Sequence, residues 1–146
     1  MNRPILIVED SDEDFEATTW ALLKAGLTRP IDRCKSAQEA LHRLGFRKTV
    51  NTPDPAPMPC LVLLDLNLPG MDGRQFLSQL RAQENPPAVP VVVLSTSINP
   101  RDVTACYRLG AAGYLNKPLT LESLVECMRS LSVYWFGTVL LPEERE

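Results

Sequence analysis

Four short apolar runs, at residues 5–8, 61–64, 91–94 and 113–115, alternate along the chain with stretches of helical periodicity. Runs this short and this uniformly apolar read as strands buried on both faces. A weaker run at 31–34 alternates apolar with charged residues, which suits an outer strand. Strict alternation of strand and helix implies a parallel sheet covered by helices on both faces and joined by right-handed crossovers. The expected fold is therefore α/β, a doubly wound five-stranded parallel sheet. The 146 residues suffice for a single domain with one core and leave no room for a second folded module.

The helical stretches carry their own punctuation. Residues 15–26 place Phe15, Thr18, Leu22 and Ala25 on one face, with Ser11 and Asp14 as a capping pair and Gly26 as a stop. Ser36 with Glu39 opens a second helix whose stripe is Ala37, Ala40, Leu41 and Leu44. Asp72-Gly73 leads into a third, built on Phe76, Leu77 and Leu80. Asn99-Pro100 starts a fourth, with Asn at the N-cap and Pro at the first position, and an inner face of Val103, Cys106 and Tyr107 up to Gly110. The last helix runs from Thr120 through Leu121, Leu124, Val125, Met128 and Leu131. Segment 48–59 holds Pro53, Pro55, Pro57 and Pro59 without apolar periodicity and is expected to be an extended surface loop, while the acidic end 143–146 is expected to fray.

Composition narrows the function. Fifteen Lys and Arg against eighteen Asp and Glu give a net charge of −3, which argues against direct nucleic-acid binding, because that affinity comes largely from neutralising phosphates. The first apolar run meets Glu9-Asp10 too early for a signal peptide, and no uncharged stretch reaches the ~20 apolar residues of a membrane span. A cytoplasmic protein without membrane contact is expected. Cys34, Cys60, Cys106 and Cys127 stand far apart with no CxxC, so they read as reduced structural thiols rather than metal ligands. The one histidine, His42, lies on the second helix, away from the strand ends, and reads as a surface residue rather than a phosphocarrier.

Ligands of such sheets bind at the carboxyl ends of the strands. Those ends carry Glu9 and Asp10, then Asp65, then Ser95 and Thr96, and Lys117 just past the last strand. Three carboxylates brought together repel one another and hold extra protons unless a cation joins them. Mg²⁺ resolves this with hard oxygen donors, here Glu9, Asp10, Asp65 and the backbone carbonyl of Asn67. Asp65 is the candidate nucleophile, because it follows the central run 60–64 and precedes the turn 68–73; a carboxylate there can form an acyl phosphate. The Lys117 ammonium and the Ser95 hydroxyl are placed to stabilise phosphoryl charge. A phosphohydrolase with an aspartate nucleophile is the enzymatic alternative. It places a second Asp, as acid/base, where this chain has Asn67, and an amide cannot transfer that proton.

These residues resemble the receiver domains of two-component response regulators over about 5–131. The matching motifs are Val8-Glu9-Asp10, Leu64-Asp65-Leu66-Asn67-Leu68-Pro69-Gly70-Met71-Asp72-Gly73, Val93-Leu94-Ser95 and Gly110-Ala111-Ala112-Gly113-Tyr114-Leu115-Asn116-Lys117-Pro118. The resemblance implies a flavodoxin-like sheet of order 2-1-3-4-5 and Mg²⁺-dependent phosphoryl transfer from a histidine kinase to Asp65, followed by slow self-dephosphorylation. It also implies a cis Lys117–Pro118 bond. Residue by residue, it implies Glu9 and Asp10 as metal ligands with the Asn67 carbonyl, Asp65 as phosphoacceptor, Lys117 as the phosphate-binding lysine, Ser95 as the switch hydroxyl and Tyr114 as the switch aromatic. Phosphate would draw Ser95 inward and let Tyr114 follow, repacking the face made by the fourth helix, fifth strand and fifth helix. The expected protein is a signalling domain, not an enzyme that turns over a separate substrate. Two departures stand out: Glu9 replaces a commoner Asp, and Thr96 exceeds the usual residue in size, which should narrow access to Asp65.

More narrowly, the Pro-rich insertion, the Ser95-Thr96-Ser97 run and the ending from Tyr134-Trp135-Phe136 to Leu140-Leu141-Pro142 resemble stand-alone receivers associated with phytochrome-type photoreceptor kinases. That resemblance implies a light-regulated kinase partner and a homodimer formed through the last strand, the last helix and the C-terminal extension. The chain accordingly divides into a receiver domain, 1–131, and an apolar extension with an acidic tail, 132–146, acting as a dimerisation arm. Residues 130–142 carry no charge while Val133, Tyr134, Trp135, Phe136 and Leu140 crowd together, more than one helix face can bury. The expected interface is Tyr114, Val133, Tyr134, Trp135, Phe136 and Leu140; the alternative is that the extension folds back over its own core.

Overall fold

The computed structural model describes residues 2–45 and 57–143. The elements are β1 (Ile5–Val8), α1 (Asp12–Lys24), β2 (Ile31–Cys34), α2 (Ala37–Gly45), β3 (Leu61–Asp65), α3 (Gly73–Arg81), β4 (Val91–Ser95), α4 (Pro100–Arg108), β5 (Gly113–Asn116) and α5 (Leu121–Gly137). The five strands are all parallel, in the order β2-β1-β3-β4-β5, the flavodoxin-like arrangement expected.

Alternate residues of each central strand feed opposite layers. Leu6, Val8, Val62, Leu64, Val91 and Val93 pack with Ala37, Ala40 and Leu44 of α2, Phe76, Leu77 and Leu80 of α3, and Cys106 of α4. Ile5, Ile7, Leu61, Leu63, Val92 and Leu94 pack with Ala21 and Leu22 of α1 and with Leu124, Met128 and Leu131 of α5. Each fully buried side chain of this size contributes about 1.5–3 kcal/mol, and burial on both faces is why the runs lack polar alternation. Register then aligns the strand ends. Val8 pairs with Leu64, Asp65 with Leu94, and Ser95 with Asn116, so Glu9, Asp65, Ser95 and Lys117 emerge at one edge of the sheet.

The helix signals operate as chemistry. Ser11 Oγ accepts the Asp14 N–H at 3.2 Å, so α1 begins at Asp12 rather than at Phe15, and Gly26 follows its end at φ +96°, a conformation glycine adopts without a Cβ penalty. Asp72 and Gln75 form a reciprocal capping box on α3, and Asn99 caps α4 ahead of Pro100. At α2 the pattern shifts by one residue: Ser36 Oγ accepts the Glu39 N–H, while the Glu39 carboxylate reaches back to Lys35 N.

Several expectations need correction. The inner face of α4 is narrower than its spacing implied: Cys106 is buried, but Tyr107 is 50% exposed. Leu121 is likewise exposed at the start of α5. Helix α5 runs on past Leu131 to Gly137, so the first residues of the expected extension are helix. Trp135 and Phe136, expected at an interface, are partly buried against the α1/α5 layer together with Leu141; the Arg29 guanidinium lies 4.6 Å from the Phe136 ring centre, and Arg3 holds the Pro142 carbonyl at 2.7 Å. Val133, Tyr134 and Leu140 remain exposed. No cis peptide bond occurs among the described residues, so the Lys117–Pro118 bond is trans, the form favoured intrinsically by about 0.5–1 kcal/mol.

Residues 48–56 of the proline-rich segment lie outside the described residues, together with 46–47 before it and 144–146 of the acidic end. At the described end of that segment Pro57 is exposed but the chain then turns inward: Met58 is buried, and Arg3 donates to the Met58 and Pro59 carbonyls at 3.0 and 2.8 Å. His42 is exposed on α2, as expected. Cys34, Cys60 and Cys106 are free and buried, and burial pushes the Cys34 thiol up to about 11. Among the described residues, no helix is long and apolar enough to cross a membrane.

Candidate functional site

Strand β1 delivers two acids past its last apolar residue. Glu9 N donates to the Cys34 carbonyl, and the Glu9 carbonyl accepts from Arg33 Nε at 3.1 Å, so the neighbouring edge strand fixes this turn. Arg33 also pairs with Asp12 at 2.7 Å and lies 4.5 Å from the Phe15 ring centre, tying the start of α1 to β2. From β3 comes Asp65, whose Oδ1 accepts the Asn67 N–H at 3.3 Å. Glycine at 73 lets α3 begin directly against this strand end, where a Cβ would stand 2.9 Å from Leu66 Cα and 3.1 Å from the Asp65 carbonyl oxygen.

Glu9, Asp10 and Asp65 each bring a carboxylate oxygen within 4.8 Å of the others. Glu9 is only 4% exposed. Burial, the hydrogen bond to Asp65 and the negative charge of Asp65 push its carboxyl up from 4.5 to about 7, against the opposing pull of Lys117. The cluster thus holds more negative charge than its surroundings neutralise. Its donors are all hard oxygens, a set that fits a divalent cation of the Mg²⁺ kind.

Lys117 reaches this cluster from the far end of β5. Its Nζ donates to Glu9 Oε1 at 3.2 Å and to Asp14 Oδ2 at 2.9 Å. Burial opposes the charge on this ammonium, but the bonds to Asp14 and Glu9 and the Asp65 charge outweigh it and raise its pKa. The lysine therefore stays charged. Asp14 was not among the residues singled out for chemistry. Its acidic character was visible, yet an acid in the first turn of a helix is already explained by the helix dipole, and that hid the contact.

Ser95 is fully buried at the end of β4, and its Oγ accepts the Ser97 N–H at 3.1 Å. The half-buried Tyr114 donates its hydroxyl to the Ser97 carbonyl at 2.9 Å, and the Lys117 N–H donates to the Ser95 carbonyl at 2.7 Å. Ser97 Oγ in turn bonds Asp102 at 2.6 Å, and Arg74 of α3 holds Asp102 at 3.1 Å. The β4–α4 loop is thus tied at once to β5, α3 and α4. The sequence singled out Ser95 and Tyr114 in this network; Ser97, Asp102 and Arg74 come from the structure. Thr96 is exposed beside them. Val133, Tyr134 and Leu140 lie on α5 and beyond it, apart from the acid cluster.

Comparison with known proteins agrees with this geometry. The response regulator receiver domain family matches residues 5–129. The response regulator Rcp1 of Synechocystis is 34% identical over 140 residues, spanning 96% of this chain and 93% of Rcp1. The crystal structure of the Mn²⁺-bound form of Rcp1 superposes with a TM-score of 0.82 at 33% identity, over 97% of this chain and 99% of that one. The structure of a phosphorylated cyanobacterial phytochrome response regulator, RcpA, superposes with a TM-score of 0.85 at 31% identity, over 98% of this chain and all of that one. Fold, acid cluster and sequence together place this chain in the response regulator receiver domain family.

Proposed function

We propose that this protein is a phosphorylation switch in which Asp65 accepts a phosphoryl group from the phosphohistidine of a kinase. An Asp65 carboxylate oxygen forms the new P–O bond as the P–N bond of phosphohistidine breaks, and the imidazole leaves as it takes up a proton. The observation that carries this reading is the acid cluster of Glu9, Asp10 and Asp65, with one lysine bonded to its buried member. Glu9, Asp10, Asp65 and the Asn67 carbonyl would hold Mg²⁺, which when bound offsets the charge of the phosphoryl oxygens. Lys117 supplies a fixed positive charge, and the Ser95 hydroxyl donates to a phosphoryl oxygen once it is drawn toward Asp65. That movement breaks the Ser95–Ser97 bond and releases the loop Tyr114 is anchored to, which changes the face of α4, β5 and α5.

The partner is a histidine kinase of the phytochrome type, a reading supported by the likeness to RcpA, which is named a phytochrome response regulator. Residues beyond 131 act as a dimerisation arm, with the exposed Val133, Tyr134 and Leu140 as contact residues and the half-buried Tyr114 of β5 as a further one. Trp135 and Phe136 serve that arm from within by holding it against the α1/α5 layer.

Amide NMR with Mg²⁺, with and without beryllofluoride as a phosphoryl mimic, tests this reading without needing the kinase. Wild type is expected to shift around Asp65, Ser95, Tyr114 and Lys117 and onward into α4 and α5, and Asp65→Asn is expected not to respond. A folded wild-type spectrum indifferent to beryllofluoride sinks the phosphorylation reading.

A further inference from the structure

Asp14 has no part in the roles assigned above, yet it is the shorter of the two Lys117 contacts. Lysine offers three N–H donors and no acceptor, and here two of them go to carboxylates, Asp14 at 2.9 Å and Glu9 at 3.2 Å. We propose that Asp14 is a positioning residue that parks the Lys117 ammonium on the α1 side of the site, and that Lys117 leaves Asp14 when Asp65 gains a phosphoryl group. This rests on the phosphoacceptor reading of Asp65.

The two carboxylates hold Lys117 under unequal conditions. The Glu9 side chain is 5% exposed, so breaking its bond would leave a buried carboxyl short of a hydrogen-bond partner. The Asp14 side chain is 49% exposed, so water replaces the ammonium there at small cost. The Asp14 bond is therefore the one that yields. The Asp14 main chain is held at the helix cap by its N–H bond to Ser11 Oγ, so only its short side chain could follow the lysine inward. A phosphoryl group brings about −1.5 to −2 charges, more than one carboxylate, and so outcompetes the half-exposed Asp14 for the ammonium. Asp12, in the same turn, is no competitor: Arg33 takes it at 2.7 Å.

Removing Asp14 should therefore make the site easier to load. The test is a beryllofluoride titration of the full chain at saturating Mg²⁺, comparing wild type with Asp14→Asn and with Asp12→Asn, which removes the same charge from the same turn without touching Lys117. Asp14→Asn is expected to bind about two- to fivefold tighter, the range a half-exposed ion pair supports, and Asp12→Asn as wild type does. The ¹⁵N resonance of the Lys117 ammonium should also move on Asp14→Asn before any beryllofluoride is added, which a purely anchoring role for Asp14 on α1 would not require. Affinity unchanged or weaker in Asp14→Asn, or raised equally by both substitutions, overturns the proposal while leaving the phosphoacceptor reading intact. A wild type that takes up no beryllofluoride overturns both.

Discussion

Glu9 is the residue where electrostatics and function meet most directly. Its carboxyl titrates at about 7 in the fold against 4.5 ordinarily, because burial and the neighbouring Asp65 disfavour its charge. The folded state therefore holds a proton that the unfolded state has released between these values, and stability falls as pH rises through that window. At about 1.4 kcal/mol per unit, the loss is on the order of 3 kcal/mol. In a chelator, the melting temperature is expected to drop from pH 5 to pH 8; Glu9→Gln should flatten that slope, and Mg²⁺ should oppose it by replacing the proton as the cluster's counter-charge. Melts with and without metal at each pH decide this. A second prediction concerns access: Thr96→Ala should speed labelling of Asp65 by a small phosphodonor several-fold, and equal rates would remove the idea that Thr96 shields the acid. The acids, the lysine and the buried serine were legible because each follows an apolar run. Asp14, Ser97 and Asp102 were not, since each has an ordinary helix-end or loop explanation and acquires its second partner only through a crossover.

Among elements, the start of α3 bears most closely on the site. Gly73 N donates to the Leu66 carbonyl at 3.0 Å, so the helix begins in contact with the strand end that carries Asp65. In Gly73→Ala the new Cβ would meet the Leu66 Cα at 2.9 Å and the Asp65 carbonyl oxygen at 3.1 Å as well as Leu66 Cδ1 at 3.0 Å, and because two of these are backbone atoms the Asp65–Leu66 segment itself must shift. The expected cost is about 1–3 kcal/mol in urea unfolding, accompanied by movement of the Asp65 and Asn67 amide resonances. Destabilisation with those two amides unmoved would show that the strain is absorbed elsewhere. Strands and most helix starts were readable from sequence because periodicity and caps are local. The ends of α4 and α5 were not. Periodicity put Tyr107 inward, but α4 buries little beyond Cys106, so the tyrosine is left outside. Past Leu131, α5 continues because Trp135 and Phe136 find the α1 side of the core, a partner that spacing along the helix cannot reveal.

For the whole molecule, the question is what the exposed part of the C-terminal extension does. The chain divides that apolar stretch in two. Trp135, Phe136 and Leu141 face its own core, and Val133, Tyr134 and Leu140 are 60%, 51% and 99% exposed. The two sets predict different phenotypes. Trp135→Ala should lower stability by about 1–2 kcal/mol, as expected for a partly buried aromatic. Val133→Asp with Leu140→Ala should leave the melting temperature nearly unchanged, because those side chains are 60% and 99% exposed in the single chain. If they form a dimer contact, the same double substitution should convert a sedimenting dimer to a monomer in analytical ultracentrifugation, with beryllofluoride or without it. The dependence on beryllofluoride then reports whether the switch at Asp65 reaches the arm: coupling through Tyr114 and the α4–β5–α5 face requires wild-type association to tighten on addition, whereas an arm independent of that face would associate equally in both states. A wild type that is monomeric in both conditions removes the dimer and leaves this patch open for the kinase or another partner.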